Sequence, residues 1–436
     1  MKLLHLFLNG VFCFSIFHAA YAQSLASNVT AFVNVNVVTM EDPKVLLKQT
    51  VLIENGSIRL IGDKKMVEIP AGAAIIDGKG KYLMPGLADA HAHMLVNDPF
   101  GFKQNDYFLL HLASGVTTLR SMRSRKEHLK LREQARQNQL LAPNLYICAV
   151  APSDSTFGLE QIPTFVKQAK ADGYDLVKYV SGLNSQQFER LGQACKEVGI
   201  PFAGHAYKGS LKPAIKTQQR SVEHYTPALN TYKDQPGLFP SVMEDLKKNN
   251  VFITPTLMFY YVNFFQIEGD RLFKPNGVRY LPKSVYNAWM KDWTKESKEF
   301  AKDKESFDKF KAKGKTSLLE FNRVLKMMAD NNVKLLLSGT DDGVFTVPGF
   351  SMVDEMNLYN NAGLTPYQIL KASTSNVADF FNESSLWGTV SVGKRADLIL
   401  LEKNPLENAA NIQFIIGTMV RGKYYTKDDL TKRISR

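Results

Sequence analysis

Cysteine is scarce. The 436-residue chain has three, and one of them, Cys13, sits in an apolar leader. That excludes a disulfide scaffold. A chain of this length buries enough surface to do without one. Cys148 and Cys195 fall in apolar patterns and are expected to be buried free thiols. Long hydrophobic runs are missing too. Past residue 22, no stretch reaches the roughly 18 apolar residues of a membrane helix. No repeat or low-complexity segment occurs. Hydrophobic residues make up 44% and charged residues 22%. That balance argues against a disordered, collagen-like or coiled-coil chain.

What is present begins with an address. Lys2 precedes an apolar stretch over residues 3–17, and Ala20-Tyr21-Ala22 precedes Gln23. This is the pattern of a secretory signal peptide over 1–22, cleaved before Gln23. An N-terminal membrane anchor is the alternative; cleavage would leave no stable anchor. Secretion is the expected fate, into the periplasm if the source is a Gram-negative bacterium. The net charge is +12, and residues 270–315 hold 13 basic against 7 acidic side chains. The Lys/Glu mixture of Lys291-Asp292-Trp293-Thr294-Lys295-Glu296 reads as a solvated helical face. A nucleic-acid partner is not expected of an exported chain.

Residues 28–84 alternate short β-rich runs with turns, and Asn55-Gly56 is a strong hairpin signal. The C-terminal end has similar strand-like runs around 397–401 and 412–416. Both ends are expected to form one small β-sandwich domain, 23–84 plus 384–436. Residues 85–383 repeat strand then helix. Eight strands are expected, at 87–94, 115–121, 144–150, 175–180, 201–205, 221–225, 251–256 and 333–340. Ser185 reads as an N-cap, with Phe188, Leu191, Cys195 and Val198 behind it at helical spacing. Such alternation predicts a parallel sheet, and eight units favour a closed (β/α)₈ barrel, an α/β fold. Residues of about 262–332 are too many for one connection and are expected to be a helical insert near the barrel mouth.

The chemistry gathers where these strands end, as it does in barrels of this kind. His91 and His93 end the first strand two residues apart, on one face. His205 lies in Gly204-His205-Ala206 and His224 follows Glu223. Asp341 ends the eighth strand in Ser338-Gly339-Thr340-Asp341. Four imidazoles and a carboxylate on one rim suit zinc or a similar divalent ion. Lys178 interrupts the apolar strand Asp175-Leu176-Val177-Lys178-Tyr179-Val180. It is either an ion-paired lysine or a desolvated amine able to take up CO₂ as a carbamate.

These motifs resemble the metal-dependent amidohydrolase superfamily, in its imidazolonepropionase-like branch with the prolidase-like (Xaa-Pro) dipeptidases. Met84-Pro85-Gly86-Leu87, His91-Ala92-His93 and Gly115-Val116-Thr117-Thr118 carry the resemblance. So do Ser221-Val222-Glu223-His224, Ser338-Gly339-Thr340-Asp341-Asp342-Gly343 and the tail from Gly388 to Leu398. The resemblance implies a distorted barrel with a sandwich built from both termini. It implies that His91, His93 and Asp341 hold one metal and His205 and His224 a second. Carboxylated Lys178 would bridge the two. One departure is clear: where relatives have Arg-Asp and glycines after strand two, this chain has Arg120-Ser121-Met122-Arg123-Ser124.

The expected reaction is attack by hydroxide on the amide carbonyl of a small molecule, a dipeptide or N-acyl amino acid. Asp341 is the candidate for proton transfer. Tyr225 and Tyr260 are candidates for oxyanion donor and substrate contact, and Arg120 for pairing a substrate carboxylate. Three alternatives stay open: a lactone, carbamate or phosphotriester hydrolase on the same metals, a mononuclear deaminase, and a binding protein with a relic site. Oligomeric state is not fixed by the sequence, and a homo-oligomer fits it.

Overall fold

The computed structural model describes residues 29–63, 65–95, 98, 100–154, 156–265, 267–268, 271–272, 274–341 and 344–435. The leader expected over 1–22 lies outside them, as do Asp342 and Gly343 of the last strand-end motif.

Strands β1 (Val29–Val38), β2 (Val45–Glu54) and β3 (Ser57–Asp63) come first. Their apolar residues Phe32, Val35, Val51, Ile53 and Ile58 meet in one buried cluster. Asn55 and Gly56 turn β2 into β3 with φ of 51° and 78°, the two-residue geometry that matches strand twist. Strands β4 (Ala74–Asp77) and β5 (Tyr82–Pro85) run parallel to β1, each along a different stretch of it.

The chain then crosses into the barrel at Gly86. A Cβ there would lie 2.3 Å from the Thr117 hydroxyl oxygen, so only glycine lets the strand pass this close. Strands β6 (Leu87–His93), β7 (Val116–Arg123), β8 (Asn144–Val150) and β9 (Leu176–Tyr179) follow. Then come β10 (Phe202–Gly204), β11 (Ser221–Glu223) and β12 (Phe252–Thr254). These seven pair in parallel, in chain order. The helix Ser185–Val198 covers one crossover and buries Phe188, Leu191 and Cys195. Its N-cap is Asn184 rather than Ser185. Asn184 accepts from the Gln187 amide, and the Gln187 side chain accepts from the Asn184 amide. The reciprocal pair satisfies two otherwise orphaned donors.

The expected eighth strand is an irregular stave. Residues 333–338 fill the gap between β12 and β6, with one bridge from Leu335 to Ile253. Ile253 N donates to Lys334 O, Leu336 N to Ile253 O, and Ala90 N to Leu337 O. Leu337 N turns away to Ala372 O, and the Ser338 hydroxyl donates to His91 O at 2.9 Å. Those diversions break the ladder, yet the barrel still closes.

The insert is not purely helical. A small hairpin, β13 (Ile267–Glu268) and β14 (Arg271–Leu272), precedes the helices Lys283–Lys302 and Lys304–Asp330. The longer helix buries Phe321, Val324, Leu325 and Met328, a helical-period stripe. Its outer side carries exposed pairs such as Lys304–Asp308 and Lys309–Glu305. The shorter helix is pinned by Trp289, whose ring meets Phe100, Phe102 and Phe345 at 6.4, 6.0 and 5.7 Å. Phe100 and Phe102 follow the strand bearing His91 and His93, and Phe345 follows Asp341. No described helix is long and apolar enough to cross a membrane.

The chain returns in β15 (Leu398–Leu401), β16 (Ile415–Val420) and β17 (Lys423–Thr426). Strand β15 pairs antiparallel with β5. Both chain ends therefore share one eight-stranded, mostly antiparallel sheet, in the order β17-β16-β15-β5-β1-β2-β3 with β4 on β1.

Candidate metal centre and active-site cavity

His91 and His93 leave the end of β6 toward one point. Below them the strand is stitched to the irregular stave. Asp89 accepts from His91 N at 3.1 Å and from Gly339 N at 3.4 Å, and also from the Thr340 hydroxyl. This stitching carries Asp341 to the histidines. Asp341 Oδ1 lies 3.7 Å from His91 Nε2 and 3.5 Å from His93 Nε2. Donor atoms of His91, His93 and Asp341 all fall within 4.8 Å of one another.

His205 and His224 stand opposite, at the ends of β10 and β11. Their Nε2 atoms face each other at 3.1 Å. His224 Nδ1 sits 2.8 Å from the Thr256 hydroxyl and 3.6 Å from Asp341 Oδ2. His224 and Thr256 both hold positive φ, 73° and 49°. For non-glycine residues that conformation is costly and gathers at functional sites. Gly204 has φ +124°, and a Cβ there would strike Tyr179 O at 2.0 Å. Lys178, buried on β9, faces the same cavity.

Burial sets the charge states. It pushes His91 well below the ordinary imidazole value, with Lys178 adding to the effect. It lowers His205 to about 4 and His224 to about 2, with Lys178 adding at both and His205 also at His224. These rings are neutral at pH 7, the state a metal ligand requires. Burial also lowers the Lys178 amine.

Glu223 is the residue that sequence reasoning left without a role. His91 Nδ1 donates to Glu223 Oε2 at 2.7 Å. That bond fixes the tautomer and leaves the Nε2 lone pair aimed into the cavity. His91 Nε2 is buried and makes no hydrogen bond. A carboxylate behind the ring is the usual partner of a metal-binding histidine. The residues therefore fit a divalent cation. The signal in the sequence was an acid on a barrel strand directly before a candidate ligand.

Arg120 supports this carboxylate and is not a substrate ligand. Its side chain is fully buried. Its Nη2 donates to both Glu223 oxygens at 2.9 Å and to Thr254 Oγ1 at 3.2 Å. Nη1 donates to Ser221 Oγ at 2.7 Å, and Nε donates to Ala90 O. The guanidinium is spent on partners in the barrel interior and is not exposed to the cavity.

The two tyrosines separate. Tyr260 lines a cavity of about 480 Å³ with the six metal-capable residues, Phe259, Pro227 and Ala206. Its ring stands edge-on to His224 at 5.9 Å, and its hydroxyl pairs with Thr226. Tyr225 is not among the lining residues. It packs behind Tyr260 at 4.7 Å and against Phe321 at 5.3 Å, with its hydroxyl on Ser317. Its expected role as an oxyanion donor is corrected by that orientation. The helix Leu257–Phe265 carries Phe259 and Tyr260. Buried Glu355 holds its first turn by accepting from Leu257 N at 2.9 Å and from Met258 N. Cys148 and Cys195 are buried and free, as expected.

Comparison with known proteins gives the family and the fold. A curated relative, an enamidase from Eubacterium barkeri, is 33% identical over 94 residues. The match spans 21% of this chain and 24% of that one, so the chain matches about a quarter of the relative's length. Among solved structures, a Xaa-Pro dipeptidase with methionine in its active site superposes with TM-score 0.68 at 18% identity. That alignment covers 91% of this chain and all of the other. Bottromycin amidohydrolase superposes with TM-score 0.69 at 20% identity, covering 92% and 88% of the two chains. At these identities the structures show a shared fold. The family model described as "Amidohydrolase family" matches residues 82–424. The chain belongs to the amidohydrolase family.

Proposed function

We propose that this chain is a secreted binuclear metal-dependent hydrolase. Its substrate would be a dipeptide, Xaa-Pro or similar, or an N-acyl amino acid, cleaved at the amide bond. Residues 23–84 with 384–436 would form the sheet domain and 85–383 the catalytic barrel. His91, His93 and Asp341 would hold one divalent cation, and His205 and His224 another. Zinc suits this donor set. The observation that most supports the reading is His91, locked by Glu223 with a buried Nε2 aimed at Asp341 and His93.

Divalent cations held there would supply Lewis acidity and make hydroxide available at neutral pH. The chain supplies the rest. Lys178 Nζ attacks CO₂ as a neutral amine, forms an N–C bond and releases one proton. The resulting carbamate would add two oxygens to the ligand set of the histidines and Asp341. Asp341 takes a proton at a carboxylate oxygen and delivers it to the leaving amine. Tyr260 lines the cavity, and its hydroxyl would be the donor to the carbonyl oxygen as it becomes negative. Phe259, Pro227 and Ala206 give the cavity an apolar wall that favours an apolar substituent.

The test is turnover by protein produced with zinc and bicarbonate. The panel holds Xaa-Pro and other dipeptides, N-acyl amino acids, a lactone, a carbamate and a phosphotriester. Fastest turnover on a dipeptide or N-acyl amino acid supports the proposal. Turnover only on the lactone, carbamate or phosphotriester moves the chain to another substrate class. No turnover from metal-loaded protein revives the relic reading.

A further inference from the structure

A second cavity shares no lining residue with the metal-capable site and lies where residues 274–280 of the insert meet the C-terminal residues 412–415 and 427. It has a volume of about 330 Å³. Arg279, Lys427 and Lys274 face it, and no described lining residue is acidic. The cations are held in place by rings. Arg279 Cζ lies 4.8 Å from the Tyr280 ring centroid. Lys427 Nζ lies 5.6 Å from the Tyr280 and Phe350 centroids alike. Those two rings stack at 5.0 Å and 25°. The backbone is pressed onto them: Gly277 has φ +79°, and a Cβ there would lie 2.2 Å from Phe350 Cγ.

This is a built pocket with an electrostatic debt. Burial and the nearby Arg279 both lower the Lys427 amine, and Asp428 and Glu402 only oppose them in part. Lys427 donates to Gln413 O at 3.5 Å, a long bond, and Arg279 donates to the Tyr280 hydroxyl at 2.8 Å. Both of these partners are neutral, and among the described lining residues no carboxylate answers the positive charge facing the cavity. An anion would relieve the repulsion and gain charge-assisted hydrogen bonds. The rings offer an apolar surface to whatever carries that anion.

We propose that this cavity binds the oxyanion group of a small organic molecule, a carboxylate or a phosphate, between Arg279 and Lys427. The site is independent of the hydrolytic reading and stands whether or not the metal centre is binuclear. The test is calorimetric titration of the metal-loaded mature chain with benzoate, with phenyl phosphate and with neutral benzamide. The variants are Arg279→Gln and Lys427→Met. One anion should bind one-to-one, at least tenfold more tightly than benzamide. Each variant should weaken that binding at least tenfold and leave turnover at the barrel unchanged. Tighter phenyl phosphate binding assigns a phosphoryl ligand, and tighter benzoate a carboxylate. Three results would overturn the site: no anion binding, equal binding of benzamide, or binding unchanged in both variants. The last would place the anion elsewhere, as at the metals. Arg279 is exposed, so its replacement leaves the folded core intact.

Discussion

At the scale of single residues, the pair that decides the site is His91 and Glu223. The ring can offer Nε2 only because Nδ1 is committed to the carboxylate. Glu223 in turn answers the buried charge of Arg120. Glu223→Gln should weaken metal affinity about 10- to 100-fold, as loss of such a partner does elsewhere. Elemental analysis after dialysis checks it. The same change leaves a buried guanidinium without its counter-charge, at a cost of about 3–5 kcal/mol. Urea unfolding of metal-free protein measures that. Tyr260 and Tyr225 form a natural control. Tyr260→Phe should lower kcat about 100-fold if its hydroxyl meets the oxyanion. Tyr225→Phe should leave kcat within about twofold and cost about 1 kcal/mol of stability. Equal kinetic effects from the two would remove Tyr260 from the mechanism.

The ligand candidates were legible because a barrel strand announces its own end. Apolar runs stop at His or Asp, and the five such residues converge with Lys178 on one cavity. Depth within the barrel is not written that way. Arg120 stands on a strand like the histidines, but its guanidinium lies beneath them in the interior. Period-2 alternation tells which face a residue takes, not how far along the barrel axis its side chain ends. Tyr225 failed for a related reason. It follows His224 directly, and the positive φ of His224 redirects the chain in a way that alternation does not foresee.

Among the elements, the insert and the irregular stave matter most. The stave at 333–338 read as a strand because its residues are apolar and β-prone. Its hydrogen bonds are shared among β12, β6, Ala372 and Ser338's contact with His91, and such sharing depends on neighbours distant in sequence. The single-residue shift of the cap from Ser185 to Asn184 has a local cause: only Asn184 completes the reciprocal pair with Gln187. The insert's helix Lys283–Lys302 is anchored by one large side chain, Trp289, against aromatics that follow His93 and Asp341 in the chain. Trp289→Ala should cost about 3–5 kcal/mol. Hydrogen exchange should show faster opening in this helix and at Phe102 and Phe345. If exchange at those two positions is unchanged, the helix does not brace the loops beside the cavity.

The whole molecule is a barrel whose rim carries the candidate ligands and whose two chain ends meet in one sheet. Strand β5 pairs with β15, and one residue later the chain enters the barrel strand that carries two candidate ligands. The terminal sheet therefore sets the position of β6. The central claim is that six residues on this rim hold two cations with Lys178 between them. Its most direct test is metal content per chain, by elemental analysis of protein produced with zinc and bicarbonate, for the natural chain and for Lys178→Ala. The account predicts about two ions per natural chain and a loss of at least one in the variant. One ion or none in a folded natural chain, or two ions retained by Lys178→Ala, would contradict it.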